Sequence, residues 1–77
     1  MTDRRFLVQY KERHKNKWED HRSSQDSVLE ACRLLSDLIR TNNGNIEQAR
    51  VVSLWWMENS WKMKDVLMHR DLNVTKN

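Results

Sequence analysis

The chain has no proline, one glycine (Gly44) and one cysteine (Cys32) among its 77 residues. Sheet-rich folds use tight turns at close spacing, and those turns favour Gly, Pro, Asn and Asp. The scarcity of Gly and Pro argues for helices joined by short connections. A lone thiol excludes an internal disulfide and any structural zinc site built from cysteines, which points to a reducing, cytoplasmic setting. No apolar run approaches the roughly 20 residues of a membrane-spanning helix. The start, Met1-Thr2-Asp3-Arg4-Arg5, leads into charged sequence rather than an apolar signal core, so neither secretion nor a membrane partner is expected. Also missing are a Gly-rich phosphate loop, a G-x-S-x-G elbow and an H-E-x-x-H pair. A single small domain has little room for a closed, water-excluding pocket. The expectation is a non-enzyme with no catalytic residue, metal, cofactor or small-molecule substrate.

What the chain does have is apolar bulk concentrated near its C-terminus. Trp55, Trp56 and Trp61, three of four tryptophans, lie between Ile46 and Arg70, with Met57, Met63 and Met68, three of four methionines. The whole chain is one domain at most. At this size only about 60% of the unfolded surface is buried, so large aromatics must contribute much of the core.

Hydrophobic spacing predicts an all-α, compact three-helix arrangement. A first helix spans about residues 3–21, with Phe6, Leu7, Tyr10, His14 and Trp18 in one stripe and Thr2 or Asp3 as cap. A second spans about 27–41. Ser27 and Glu30 have capping-box spacing, and Val28, Ala31, Cys32, Leu35, Leu38 and Ile39 form an amphipathic face, widened by Leu29 and Leu34. Asn42-Asn43-Gly44 makes a left-handed stop. Asn45, with Gln48 three residues on, caps a third, long helix over about 46–70, and residues 71–77 form a frayed tail.

On a helical wheel the third segment carries more apolar surface than two neighbours can cover. Ala49, Val52, Trp56, Met63 and Leu67 make one seam. Leu54, Met57, Trp61, Met68 and Leu72 make a second, about 140° away. Val51, Trp55 and Val66, with Lys62 between them, make a third strip outside the buried arc. Contiguous exposed apolar surface tends to bind something, and Trp is the residue most enriched at binding hot spots. The expected site is therefore protein-binding or self-associating, formed by Val51, Trp55, Lys62 and Val66, with Met57 and Trp61 in reserve. It suits a regulatory or inhibitory accessory protein of a bacterium or phage, acting alone or as a homodimer.

The alternative is nucleic acid. The formal charge is +3, and residues 1–22 hold seven Lys/Arg against four Asp/Glu. On a helix, Arg4, Lys11, Lys15 and Arg22 fall within about 40° of one another, a row able to track phosphates.

The segment Gly44-Asn45-Ile46-Glu47-Gln48-Ala49 resembles the turn and helix start of Fis-type helix-turn-helix proteins. The same Asn-Ile-Glu-x-Ala run is similar to a helix start in ubiquitin-associated domains. The helix-turn-helix pattern continues into a Gly-containing break, where this chain has Ser53-Leu54-Trp55-Trp56. A short pattern shared by two unrelated families implies an Asn cap and a small packing residue, and no function.

Overall fold

A computed structural model describes residues 4–42 and 44–72. It overturns the all-α expectation. The order of elements is β1 (Arg4–Glu12), β2 (Glu19–Gln25), α1 (Val28–Arg40), β3 (Ile46–Met57) and β4 (Ser60–Asp71). The strands form one antiparallel sheet in the order β2-β1-β3-β4. Two hairpins thus lie side by side, joined through a helix that crosses one face. No helix is long and apolar enough to cross a membrane among the described residues.

Both expected outer helices are hairpins, and the reason is visible in the residues. Phe6-Leu7-Val8 and Val51-Val52 are adjacent apolar residues, which a single helical stripe cannot bury together. A strand sends successive side chains to opposite faces, so a two-sided strand accommodates such runs. Phe6, Val8, Ala49 and Val51 pack against Ala31, Leu35 and Leu38 of α1. Leu7 and Val52 alternate to the other face and are buried there as well. β-Branched and aromatic residues of 46–57 also suit a pleated surface. The surplus that broke the helical wheel is the mark of a sheet with two apolar faces.

The scarcity of Gly and Pro misled because other residues take the turn conformations. His14, Arg22, Glu58 and Asn59 all have positive φ. Met57 pairs with Ser60 across Glu58-Asn59, whose φ values of 52° and 66° define a two-residue type I′ turn. His14, expected in a helical core stripe, is exposed in the β1–β2 turn. The motif at 44–49 opens a strand: Ile46 begins β3, and Asn45 caps nothing helical. Ala49 does serve as a small residue in packing, with no exposed surface.

Helix α1 forms where its capping box lies. The Ser27 hydroxyl accepts from the N–H groups of Leu29 (3.0 Å) and Glu30 (3.3 Å). Thr41 closes the helix, its N–H reaching the Asp37 carbonyl. Gly44, at φ 86°, provides the left-handed step that turns the chain into β3. Asn42 supports that turn by accepting from the Gly44 and Ile46 N–H groups. Of the expected caps and tail, Thr2, Asp3, Asn43 and residues 73–77 lie outside the described residues. Asp71, expected to fray, ends β4.

The helix lies over β1, β3 and β2, and β4 runs outside its footprint. β4 is a twelve-residue edge strand, exposed except at Met68. Two irregularities interrupt its pairing. Val51 pairs with Met68 and Val52 with Val66, which leaves Leu67 extra. Ser53 pairs with Asp65 and Leu54 with Met63, which leaves Lys64 extra. Ser53 is fully buried, and its hydroxyl accepts the Asp65 N–H at 3.2 Å, which pins the second irregularity.

Two consequences are measurable. Glu58 has no structural reason to favour the left-handed region, so replacing Glu58-Asn59 by Asn-Gly should raise unfolding stability by about 1 kcal/mol. An unchanged or lower denaturant midpoint would contradict the turn assignment. The second concerns His21, which lies edge-on to Tyr10 at 6.2 Å. Burial, and then the charge of Arg22, lower the His21 pKa below the ordinary value of 6.5. The folded state therefore disfavours the protonated ring. Stability should be constant for this group above about pH 6.5 and fall as pH drops from there toward the lowered folded value. Urea titrations across that window should show a smaller acid loss for His21→Gln than for the parent chain.

Candidate aromatic docking site

Register dictates which of the expected site residues meet. In β3, Val51, Trp55 and Met57 share the α1 side of the sheet, whereas Leu54 and Trp56 point to the other side. Val51 is fully buried beneath α1 and cannot touch a partner. Trp55 lies further along the strand, beyond the helix, opposite Lys62. The Arg4 guanidinium and the Lys64 ammonium sit 5.3 and 5.9 Å from its ring centre. Both cations gain from the electron-rich face of the indole, and together they frame it without closing it off. Met57 lies at the turn on the same side.

Val66 and Trp61 fall on the opposite side, so the expected strip is divided between two faces of a hairpin. There Trp61 opposes Trp56, Met63 opposes Leu54 and Val66 opposes Val52. The Trp56 and Trp61 rings meet edge to face, with centroids 5.4 Å apart and planes at 69°. That arrangement places the positive rim of one ring on the negative face of the other. Trp56 and Met63, expected in a buried seam, are 45% and 54% exposed. On a helical wheel both residues face neighbouring helices, whereas in the hairpin they lie on the sheet face opposite α1.

The concentration is pronounced. Nine large apolar side chains are exposed among the described residues, and seven belong to this hairpin: Trp55, Trp56, Met57, Trp61, Met63, Val66 and Leu67. Among the described residues, the pairing of β1 with β3 runs from Glu12 to Arg4, which lies opposite Trp55. The molecule measures 47 × 24 × 19 Å.

The basic row expected on a first helix is not assembled. Arg4 and Lys11 are seven residues apart on a strand, an odd spacing that sends them to opposite faces. Lys15 bridges Glu12 (3.2 Å) and Glu19 (3.6 Å), chiefly Glu12, which raises its pKa and cancels its charge locally. Arg22 sits on β2 at positive φ. Lys11 instead lies 5.4 Å from the Trp18 ring, which also covers the Arg50 guanidinium at 4.0 Å. Arg50 donates to Gln9, which donates to Asp20. This layer covers the sheet face opposite α1 near β1, where burial lowers the Arg50 pKa.

Set against protein-family models, curated proteins and solved structures, the chain matches none.

The indole pair is a local clasp on the hairpin. Trp61→Ala should abolish the exciton-type circular-dichroism signal of two coupled indoles and cost about 1 kcal/mol of stability. A signal that survives would show that Trp56 and Trp61 are not in register.

Proposed function

We propose that this chain is a small non-enzymatic protein-binding module, regulatory or inhibitory in kind, that docks through the turn end of the β3–β4 hairpin. One observation carries the reading: seven of the nine exposed large apolar side chains gather on that hairpin. Isolated exposed apolar residues are ordinary, but a hairpin with the paired indoles Trp56 and Trp61 on one face and Trp55 on the other has the composition of a hot spot. The cations around Trp55 set the partner's chemistry. An apolar cleft with acidic groups at its rim would take up the indoles and neutralise Arg4, Lys62 and Lys64. The lone thiol, Cys32, is compatible with action in the cytoplasm. The basic row that would favour nucleic acid is split between faces, with Lys15 held by Glu12 and Glu19, so it makes no continuous track for phosphates.

Trp55→Ala and Trp61→Ala should each weaken partner binding by at least about tenfold, since an anchoring indole contributes on the order of 2 kcal/mol or more. Proteins retained from a lysate by the parent at high salt should be lost by both variants, with sheet content unchanged by circular dichroism. Retention that disappears with salt but ignores both substitutions would refute an apolar docking end.

A further inference from the structure

We propose that two copies of this chain associate through their β4 edges, antiparallel about a two-fold axis, to form a continuous eight-stranded sheet. The inference concerns the strand body from Lys64 to Arg70, leaves the aromatic turn end free, and does not rest on the docking role proposed for it.

β4 presents a full row of backbone donors and acceptors on its outer side, with no strand beyond it among the described residues. Lysines and bulges on an edge ordinarily repel an added strand. Here the bulge at Leu67 and the charges flanking it favour one particular partner. From Asp65 the strand reads Asp-Val-Leu-Met-His-Arg: an acid, four uncharged positions, a base. Laid against its own reverse, Asp65 meets the other copy's Arg70, and Arg70 meets its Asp65. Between them Val66 meets His69, and Leu67 meets Met68.

Register and facing agree only because of the bulge. A two-fold axis perpendicular to a sheet preserves its faces, so opposed residues must start on the same face. Asp65 and Arg70 are five residues apart, and in a regular strand an odd spacing puts them on opposite faces. The extra residue, Leu67, changes that parity. Asp65 opposes Ser53 and Arg70 opposes Ala49, both on the α1 side; Val66 opposes Val52 and His69 opposes Arg50, both on the other. The irregularity thus makes the self-complementary pairing stereochemically available.

The two charges are also unspent. Asp26, Glu12, Glu19, Glu30 and Asp37 each hold a Lys or Arg within the chain. Neither Asp65 nor Arg70 makes an ion pair among the described residues, and both are exposed. Beside them, an open groove of about 530 Å³ runs between α1 and β4, floored by Met68 and Arg70. A second β4 would extend that floor. The two aromatic ends would point in opposite directions, roughly 50 Å apart at about 3.3 Å per residue, which makes the assembly bivalent.

Sedimentation at fixed, moderate ionic strength tests the pairing. The parent should run at twice the 9.4 kDa chain mass. Asp65→Arg alone and Arg70→Asp alone each oppose like charges, and the dimer dissociation constant should rise at least tenfold. An equimolar mixture of the two single variants should form a heterodimer, and the double swap in one chain should restore the homodimer. That rescue separates a lost contact from a lost fold. A parent chain that stays monomeric at high micromolar concentration overturns the proposal, as does a dimer indifferent to both single swaps. Trp61→Ala should leave the dimer intact. If it alone dissolves the dimer, association runs through the aromatic end, and the edge pairing is wrong while the docking reading stands.

Discussion

The pairing of β1 with β3 is the constraint on which the rest of the molecule depends. It joins Arg4–Glu12 to Ile46–Trp55, segments separated by more than thirty residues, and so sets the order of the whole sheet. Each flanking hairpin could form locally, but an isolated hairpin is at best marginal in water. Only when β1 and β3 lie together do Phe6, Val8, Ala49 and Val51 make one surface wide enough to cover α1. The helix in turn removes that surface from water. Loop closure over this distance costs entropy before any contact offsets it, so the sheet and its helical cover are one cooperative unit.

That central pair also decides where the fold stops protecting itself. α1 covers β1 and β3 most fully, and β2 closes one side with the Arg5 guanidinium bound to Ser24 and Asp26. β4 receives no such cover and lies at the edge of the sheet. The exposed indoles and the unpaired edge thus belong to the same hairpin. Each side of the hairpin uses its exposure differently. The turn end is apolar on both faces, with cations around Trp55. The strand body is charged, and its extra residue at Leu67 reverses the facing between Asp65 and Arg70.

The polar interior is economical. Among the described residues, no buried side-chain nitrogen or oxygen lacks a hydrogen-bond partner. Ser53 is the only buried polar residue among them, and it is engaged with the backbone N–H at an irregularity in β4. Across the opposite face, Trp18 reaches from the β1–β2 turn to lie on Arg50, so a loop residue takes the covering role that a second helix would have had. Leu7 and Val52 are buried on this same face.

The helix was legible in the amino-acid order because its determinants are local. Ser27 and Glu30 fix its start, and the three- and four-residue spacing of Ala31, Leu35 and Leu38 fixes its buried face. The excess of apolar bulk after Ile46 was legible too. Its geometry was not. Phe6, Tyr10 and the residues after Val51 satisfy helical and strand periods at once over short windows, and β pairing draws its energy from distant partners that no window contains. The turns gave no warning, since His14 and Glu58 adopt left-handed backbone that their side chains do not advertise. Composition and local spacing therefore determined helix α1 and the abundance of indoles after Ile46. Which faces carry them, and which charges lie opposite one another, was decided by long-range strand register, where a single extra residue such as Leu67 inverts the assignment.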